Sequence, residues 1–467
     1  MIITRRPLLL GAAAAGLLAG KAFAQTAADF MGEWHGALNM GSQTLRLRLV
    51  VAEGSTSTLY SVDQGNSAIP VGTTTITGAR ITLDIPVIRA SFTGQLRDGR
   101  IEGQFTQGGT LPLVFQRGEA IAGATEALTE ARLEALRAGI NTPAMAAAAT
   151  KAGGRSIAFA TGLRAIGHEQ RVTTSDKWHL GSITKSMTAT LVARLAEAGR
   201  ISWTDTVGSV LGAAIPDMRA DYRDVTFRHL CSHRSGLQGN IEMSDLVRFA
   251  RISDDARADR VRYASLGLHQ EPRGPKETTF EYSNTGYVIV GAMLETKMSA
   301  TWESLIQEHV FNPLGMASAG HGPPGTAGAY DQPLGHMPNA AGMMEPQAPN
   351  SGDSDNPVAL GPAGRVHANF EDVQKYLLAH CEMRSGFLNR ESWQTLHTPP
   401  FGGPYAMGFS RQGNALWHNG SNTLWYAEVM FDQSRGIVAA AAANDGRAGD
   451  LRAPVGAALI EAAQAVV

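Results

Sequence analysis

The sequence predicts an α+β protein whose 467 residues divide into two dissimilar parts. Before residue 118, apolar and polar residues alternate, as in Leu45, Leu47 and Leu49 with arginines between them, which is typical of half-buried β-strands. After residue 118, helix and strand patterns alternate to the C-terminus without an internal repeat. Hydrophobic residues make up 43% of the chain and charged residues 18%, so both parts can bury apolar cores.

The first 24 residues have the three regions of a cleaved signal peptide. The pair Arg5-Arg6 precedes a short apolar stretch, which ends in Ala22-Phe23-Ala24, an A-x-A cleavage pattern. An arginine pair followed by leucines resembles a twin-arginine signal. The apolar stretch is shorter than the roughly 20 residues that span a bilayer, and no later run approaches that length. We therefore expect a periplasmic or secreted bacterial protein without stable membrane insertion after cleavage.

Residues 25–118 are predicted to form a small antiparallel β domain. Strand patterns occur at Thr74–Ile76, Ile81–Ile85 and Phe92–Leu96, and Asp98-Gly99 supplies a hairpin turn after the last of them. Such strands would form a curved sheet or a partial barrel. Nothing in this part resembles a catalytic set, so we expect it to serve as a packing or substrate-shaping module. A carbohydrate- or lipid-binding role led by this domain is the alternative.

Residues 119–467 are predicted to form the second domain. A helical pattern runs from about Glu119 to Arg137, and apolar strand patterns follow it. Near the C-terminus, further strand patterns precede a final helix. The predicted elements after the first helix are strands at Ala144–Ala149, Ser156–Thr161, Trp425–Phe431 and Gly436–Ala443 and a helix at Leu451–Val467.

Charge and cysteine content exclude several classes of protein. Lysine and arginine total 40 and aspartate and glutamate 42, so the net charge is −2 and offers no bulk attraction for nucleic acid. Two cysteines cannot build a disulfide scaffold or a four-cysteine zinc site, and we expect Cys231 and Cys381 to be free thiols. The 13 histidines show no convincing metal-ligand spacing. We therefore expect no metal, no cofactor and no nucleic-acid partner.

The first motif that points to chemistry is S-x-x-K, at Ser182 and Lys185. Apolar residues at Met187, Leu191 and Leu195 follow at helical spacing, so Ser182 is predicted to lie at a helix start. Residues three apart share a helix face, which brings the lysine to the serine. A serine hydroxyl is a weak nucleophile until a neighbouring base takes its proton, and free N–H groups at a helix start suit a developing negative charge. Alone, the motif also fits an ordinary capped helix.

Two more motifs follow at a distance along the chain. The second is Tyr282-Ser283-Asn284, and the third is His418-Asn419-Gly420, which lies just before the predicted C-terminal strands. The order of a serine motif, a Tyr-x-Asn motif and a His-x-Gly motif is far more specific than any one of them. The three motifs together predict one active site built from distant parts of the second domain.

The sequence resembles the serine β-lactamase and penicillin-binding DD-peptidase superfamily, in its class C β-lactamase-like, CubicO-type branch. Beyond the three motifs, stretches that match family landmarks are Leu230–Leu237, Asn312–Met316, Gly361–Gly364 and Tyr405–Phe409. The resemblance covers about residues 120–467 and does not include the N-terminal β domain. It implies a β-lactamase/DD-peptidase-like antiparallel sheet flanked by helices, together with a helical subdomain.

The resemblance also implies roles for the residues of the first two motifs. Ser182 would be the acylated nucleophile, and Lys185 would keep the proton network poised. Tyr282 would act as general base and then as general acid, while Asn284 would orient the substrate or Lys185. The sequence leaves open whether Lys185 or Tyr282 takes the serine proton.

In the third motif the chain departs from many members of the family. The resemblance places His418 and Gly420 as substrate-orienting residues on the edge strand of the site, where many members carry K-T-G. The backbone N–H groups of Ser182 and Ser421 would form the oxyanion hole. A neutral histidine attracts a carboxylate less than the lysine that helps hold the β-lactam carboxylate in true β-lactamases. This departure disfavours β-lactams and leaves acyl-enzyme chemistry intact.

The motifs together predict an exported serine hydrolase that acts through a Ser182 acyl-enzyme on an ester or an amide. A small ester or a D-amino-acid peptide fits better than a β-lactam. The alternatives are a slow-turnover protein that binds penicillin or peptidoglycan fragments, and a pseudoenzyme. The sequence specifies neither the physiological substrate nor the oligomeric state.

Three further features have less specific interpretations. His179, two residues before Gly181, is expected to have a packing or supporting role, and His233 a structural one. Residues 317–360 form a long segment rich in glycine, proline, alanine and methionine. Such a segment either shapes the substrate pocket, with Met343 and Met344 as an apolar wall, or is disordered.

Overall fold

The computed structural model describes residues 26–40, 43–54, 56–61, 67–97, 99–117, 127–249, 253–352, 354–412 and 414–467. The chain divides between Ala124 and Thr125 into two units, each of which is described by itself. The predicted signal peptide at residues 1–24 lies outside the described residues. Among the helices that the structure describes, none has the length and apolarity needed to cross a membrane.

The first unit is an antiparallel β-sheet preceded by a single 3-10 turn at Ala27–Phe30. Its strands are β1 (Gly32–Met40), β2 (Gln43–Ala52), β3 (Thr56–Ser61), β4 (Ser67–Pro70), β5 (Thr73–Thr77), β6 (Arg80–Ile85), β7 (Ala90–Arg97), β8 (Arg100–Thr106) and β9 (Thr110–Gln116). They lie in the order β4-β3-β2-β1-β9-β8-β7-β6-β5. Because β3 and β5 also contact each other, the sheet curls on itself, and the predicted curved antiparallel sheet is confirmed.

The alternating pattern of the sequence explains how this sheet closes around a core. Leu47, Leu49 and Val51 of β2 are buried, while the residues between them are less so. Trp34, Phe92 and Phe115 are also buried, and the rings of the two phenylalanines meet edge to face at 5.2 Å. Strands β7 and β8 form the predicted hairpin, whose last pair joins Arg97 to Arg100.

The second unit is built around an antiparallel sheet of six strands in the order β11-β10-β20-β19-β18-β17. All strands of this unit are β10 (Ala144–Lys151), β11 (Ser156–Gly162), β12 (Lys177–His179), β13 (Gly320–His321), β14 (Gly335–Pro338), β15 (Met344–Gln347), β16 (Val366–Asn369), β17 (Ser410–Gln412), β18 (Ala415–Ser421), β19 (Tyr426–Asp432) and β20 (Ile437–Ala443). Strands β12, β16 and β13 form a small separate sheet, and β14 pairs with β15.

Helices cover both faces of the six-stranded sheet. They are α1 (Glu130–Gly139), α2 (Thr184–Glu197), α3 (Val207–Leu211), α4 (Phe227–Cys231), α5 (Met243–Leu246), α6 (Ala256–His269), α7 (Asn284–Met298), α8 (Trp302–Ile306), α9 (Asn312–Leu314), α10 (Gly361–Gly364), α11 (Phe370–Cys381), α12 (Arg390–His397) and α13 (Ala448–Ala465). Shorter 3-10 turns occur at Gly181–Ile183, Ala220–Tyr222 and Val358–Leu360, and a π-helical stretch at Gln307–Phe311.

Strands β10 and β20 consist mostly of alanine, and this composition lets helices pack on both sides of the sheet. Met145, Ala147 and Ala149 of β10 face the core beneath α1 and α13. Ala146 and Ala148, on the other side of the same strand, belong to the larger core that includes α2, α7 and α11. The predicted α+β architecture, with a sheet between helices and a helical part, is therefore confirmed.

One expectation about this unit needs correction, and one alternative that the sequence left open can be compared with the structure. The first helix begins at Glu130 and not near Glu119, because the Thr129 hydroxyl caps it by accepting a hydrogen bond from the Arg132 nitrogen at 3.2 Å. Residues 118–126 lie outside the described residues. For residues 317–360 the sequence left pocket shaping and disorder open. The described part contains short strands and a 3-10 turn, Met343 is 63% exposed beside the β14–β15 hairpin, and the pocket-shaping role stays a prediction.

Candidate active site

The serine of the first motif lies on a tight turn that leads into α2. Gly181–Ile183 form a single 3-10 turn, in which Ser182 is partly exposed while its two neighbours are buried. Gly181 has a φ of +49°, and a Cβ there would lie 2.4 Å from the backbone nitrogen of Ser421. Only glycine meets both demands, because other residues rarely adopt this φ and lack the space.

The third motif reaches the same turn from the end of β18. A Cβ on Gly420 would lie 2.0 Å from the Leu180 carbonyl oxygen and 2.6 Å from the Ser182 nitrogen. Gly181 on the nucleophile turn and Gly420 on β18 therefore allow the two backbone segments to approach more closely than residues with side chains would permit. The approach places the Ser421 nitrogen next to Gly181 and the Ser182 nitrogen next to Gly420. These nitrogens are the two groups predicted to form an oxyanion hole.

Lys185 lies one helical turn after Ser182 and is completely buried. Its Nζ is 3.0 Å from Ser182 Oγ, 2.7 Å from Asn284 Oδ1 and 2.6 Å from the Ala363 carbonyl oxygen. Within the described part of the chain, no carboxylate forms an ion pair with it. Burial lowers the pKa of Lys185 well below its ordinary value of 10.5, because the charged form loses its hydration.

The contacts of Lys185 determine where a neutral amine would direct its lone pair. Asn284 Nδ2 donates to Asn240 Oδ1 at 2.9 Å, and this contact turns the Asn284 oxygen towards Lys185. The Asn284 and Ala363 oxygens can only accept hydrogen bonds, so they take both protons of a neutral amine. The remaining lone pair then faces Ser182 Oγ, in the geometry required of a general base.

Tyr282 and Asn284 of the second motif lie on either side of the residue that caps α7. Ser283 Oγ accepts a hydrogen bond from the Gly286 nitrogen at 2.9 Å, and the Ser283 nitrogen donates to His233 Nδ1 at 3.0 Å. Desolvation raises the pKa of Tyr282 above its ordinary value of 10.0, although a hydrogen bond with Ser182 opposes this shift. Tyr282 therefore stays a phenol at neutral pH.

The histidine of the third motif is buried beside Tyr282 and is not positively charged. The His418 Nε2 atom is 3.0 Å from the Tyr405 hydroxyl, and its Nδ1 is 2.5 Å from the Asn419 carbonyl oxygen. A carbonyl oxygen only accepts, so Nδ1 carries the proton and Nε2 accepts from Tyr405. Burial lowers the pKa of His418 to about 3, because the charged imidazolium would lose its hydration.

The structure thus brings all the residues predicted for the site to one place, and it adds three more. Asn240 orients Asn284, Ala363 supplies a carbonyl oxygen, and Tyr405 binds His418. Ala363 and Tyr405 belong to family landmarks in the sequence, whereas Asn240 had no signal of its own. His233 is buried against the site aromatics, in keeping with the structural role expected for it.

The expectation about the two cysteines can be compared with the structure. Cys231 and Cys381 are free and buried, as predicted. Among the residues that the structure describes, no cluster of three or more His, Cys, Asp or Glu side chains is arranged to hold a metal ion.

Comparison with known proteins identifies the family. The model of a family described as Beta-lactamase matches residues 129–464. This match spans most of the chain, so the protein belongs to the beta-lactamase family. The resemblance inferred from the three motifs is therefore confirmed, while the class C-like, CubicO-type branch stays a prediction.

Individual relatives show the same relationship. Penicillin-binding protein 4 of Amycolatopsis lactamdurans is 31% identical over 252 residues, which are 54% of this chain and 62% of that protein. The chain thus spans less than two thirds of that relative. Two similar solved structures are a D-stereospecific amidohydrolase from Streptomyces sp. (TM-score 0.56, 20% identity, 72% of this chain and 98% of the other) and EstCE1, a hydrolase with promiscuous acyltransferase activity (TM-score 0.56, 16% identity, 70% and 99%). At these identities the structural similarity establishes the fold.

Proposed function

We propose that this protein is a serine hydrolase that cleaves an ester or amide through an acyl-enzyme on Ser182. The observation that carries the proposal is the environment of Lys185. Its Nζ has two acceptor oxygens and Ser182 Oγ as neighbours, and burial lowers its pKa. A lysine in this setting is a base directed at the serine. Lys185, rather than Tyr282, is thus the residue that takes the serine proton.

Acylation then follows from these groups. Neutral Lys185 takes the proton of Ser182 as Oγ forms a bond to the substrate carbonyl carbon. The carbonyl oxygen gains the displaced electron pair and accepts hydrogen bonds from the Ser182 and Ser421 nitrogens. When the bond to the leaving oxygen or nitrogen breaks, the Tyr282 phenol donates its proton to the leaving group. The Lys185 ammonium restores that proton, so charge and protons balance.

Deacylation uses the same groups with water as the nucleophile. Lys185 takes a proton from water as the water oxygen attacks the acyl carbon. The bond between the acyl carbon and Ser182 Oγ breaks, the Lys185 ammonium returns its proton to Oγ and the free acid leaves. The enzyme returns to its starting state without a metal or cofactor in any step.

The proposed substrates are small esters and D-amino-acid amides or peptides, in preference to β-lactams. Buried and neutral His418 offers no cation to a substrate carboxylate, because its pKa is about 3 and its Nε2 already accepts from Tyr405. The similar D-stereospecific amidohydrolase and EstCE1 are consistent with amide and ester chemistry on this fold.

Location and partners follow from the sequence. We propose export through the predicted twin-arginine signal, followed by action in the periplasm or outside the cell. The partner would be a small-molecule or peptide substrate, not nucleic acid. The N-terminal β unit would serve as a packing or substrate-shaping module, and the alternative is a carbohydrate- or lipid-binding role. Deletion of residues 26–118 distinguishes them, because hydrolysis that persists after the deletion would support the binding role.

A substrate panel tests the proposed class. We would measure kcat/KM for p-nitrophenyl acetate, D-alanine p-nitroanilide and nitrocefin with the wild type and with Ser182→Ala. We expect turnover of the ester or the anilide, weaker turnover of the β-lactam, and loss of all three in the variant. A single burst without further turnover would instead support the slow-binding protein, and an absence of any adduct would support the pseudoenzyme.

A further inference from the structure

A buried polar cluster lies directly behind the active site, and the mechanism above does not use it. Its members are Asp355, His179, Asn422 and Arg365, of which Asp355 is 4% exposed, His179 1% and Asn422 2%. Asp355 comes from the long segment 317–360, whereas His179 and Asn422 each lie close to one of the two glycines of the site. The cluster therefore connects three parts of the chain that are far apart in sequence.

The first arm of the cluster leads to the nucleophile turn. His179 Nε2 is 3.2 Å from the Asp355 carboxylate, and the Gly181 nitrogen donates to His179 Nδ1 at 3.1 Å. Because Nδ1 accepts this hydrogen bond, the ring proton lies on Nε2 and points to the carboxylate. The imidazole thus transmits the position of Asp355 to the residue immediately before Ser182.

The second arm leads to the end of β18. Asn422 Nδ2 donates to Asp355 Oδ1 at 2.9 Å, and Asn422 Oδ1 accepts from the Leu424 and Trp425 nitrogens, both at 3.2 Å. Asn422 follows Ser421 directly. The same carboxylate therefore also fixes the turn immediately after the second nitrogen of the oxyanion hole.

Asp355 is held in its charged form by its surroundings. Arg365 Nε lies 3.1 Å from Asp355 Oδ2, and the Asn356 nitrogen donates to Oδ1 at 2.7 Å. Burial opposes ionisation, but the contacts with His179, Arg365 and Asn422 outweigh it, so the pKa of Asp355 lies below its usual value. A carboxylate with two accepting oxygens is the one side chain of this size that satisfies all these donors.

We propose that Asp355 is a positioning residue that holds both halves of the oxyanion hole at their working separation, through His179 on one side and Asn422 on the other. The inference rests on the proposed function, because it assigns the Ser182 and Ser421 nitrogens to that hole. Both arms end within one residue of these nitrogens. The two backbones have no side chain between them at Gly181 and Gly420, so their separation depends on such outside supports.

The test compares Asp355→Asn with a matched buried aspartate variant, Asp372→Asn. Asp372 is 3% exposed and contacts Lys375 and Ser318, away from the site residues. In Asp355→Asn the new amide would present one acceptor oxygen where the carboxylate presents two, so at least one donor loses its partner. We would measure kcat and KM for p-nitrophenyl acetate and the inhibition constant of phenylboronic acid, whose tetrahedral adduct with a serine occupies an oxyanion hole.

We expect Asp355→Asn to lower kcat by about 10- to 100-fold while KM changes little, since oxyanion contacts act chiefly in the transition state. The boronate inhibition constant should rise by a similar factor, and Asp372→Asn should change neither quantity. A folded Asp355→Asn variant with kcat and boronate affinity like those of Asp372→Asn would overturn the proposal.

A second variant covers the case in which Asp355→Asn does not fold. Asn422→Ala removes only the second arm, and we expect the same pattern of reduced kcat, weaker boronate binding and unchanged KM. Wild-type kcat in Asn422→Ala would equally overturn the proposal. A wild-type protein that neither turns over the ester nor binds the boronate would contradict the proposed function itself, which distinguishes that failure from a failure of Asp355.

Discussion

Gly420 faces the backbone nitrogen of Ser182 so closely that a Cβ on the glycine would lie 2.6 Å from that nitrogen. This relationship explains why the third motif ends in glycine. The strand end and the nucleophile turn pack backbone against backbone, with the Ser182 nitrogen next to Gly420 and the Ser421 nitrogen next to Gly181. Groups that are distant in sequence are thus brought together by direct backbone contact.

Replacing Gly420 with alanine should damage catalysis through this contact. The new methyl group would force the strand away from Leu180 and Ser182, so at least one oxyanion donor would move out of place. We expect kcat/KM for p-nitrophenyl acetate to fall by about 100-fold or more, the usual cost of losing such a donor. Gly449→Ala in α13 is the control, because nothing lies within 4 Å of a Cβ there. We expect Gly449→Ala to keep the wild-type kcat/KM. If kcat/KM in Gly420→Ala fell no more than in Gly449→Ala, this explanation would be wrong.

Replacing Lys185 with arginine should abolish most activity although a nitrogen-containing basic side chain is retained. A guanidinium does not lose its proton in proteins, so it cannot act as a base. We expect kcat/KM to fall by about 100- to 10,000-fold in Lys185→Arg and in Lys185→Met. Lys297→Met, which removes a half-buried ion pair with Asp205, is the control. Substantial activity in Lys185→Arg would mean that another group takes the serine proton.

The pH dependence of kcat/KM should report Lys185 on its acid side. The amine works only when deprotonated, and burial lowers its pKa, so activity should rise with pH through a pKa far below 10.5 and then level off. Tyr282 should add no alkaline limb below about pH 10, because its pKa is raised. Stopped-flow measurements of kcat/KM from pH 5 to 10, made on the wild type and on Tyr282→Phe, check this prediction. If that variant lost the acid limb, Tyr282 and not Lys185 would be the titrating base.

Stability should fall in mild acid because several histidines are buried in their neutral form. For each of them burial lowers the pKa, so below about pH 6.5 the unfolded chain binds protons that the folded chain does not. Their contribution to the free energy of unfolding is fully present above that pH. Below it, each histidine loses about 1.4 kcal/mol of this contribution for every pH unit. The residues are His233, His321, His336, His367, His380, His397 and His418.

Urea unfolding at pH 7.5, 6 and 5 measures this effect. The free energy of unfolding should decrease between pH 6.5 and 5, and His397→Gln, which removes one titrating group remote from Ser182, should reduce the slope by up to one proton. Equal stability at pH 7.5 and 5 would show that these histidines are already protonated in the folded protein.

The sequence predicted the site well where chemistry fixes the residue type and spacing. Ser182 lies on the 3-10 turn that leads into α2, and Lys185 lies in the first turn of α2. The helical spacing of the residues that follow predicts this arrangement. Tyr282 and Asn284 required the order of motifs, because no local pattern brings them to Ser182. In both cases few residue types can act as nucleophile, base or orienting amide. The motif can therefore be recognised in the sequence before the fold is known.

What the sequence could not predict are contacts that depend on long-range packing. Asn240 and Asp355 act on the site through side chains that meet only in the folded chain, and neither lies in a recognisable pattern. The start of α1 was placed too early because apolar periodicity precedes the Thr129 cap. The burial that keeps His418 neutral likewise arises from tertiary structure and not from the His-x-Gly motif.

The most direct test of the central claim is peptide mass spectrometry of the protein after reaction with a fluorophosphonate, with Ser182→Ala treated in parallel. An activated serine is phosphonylated far faster than an ordinary one. We expect one adduct, on the peptide that contains Ser182, with ester hydrolysis lost in proportion to labelling, and neither adduct nor hydrolysis in the variant. Hydrolysis at the wild-type rate by Ser182→Ala, with the adduct on another residue, would contradict the assignment of Ser182 as the nucleophile.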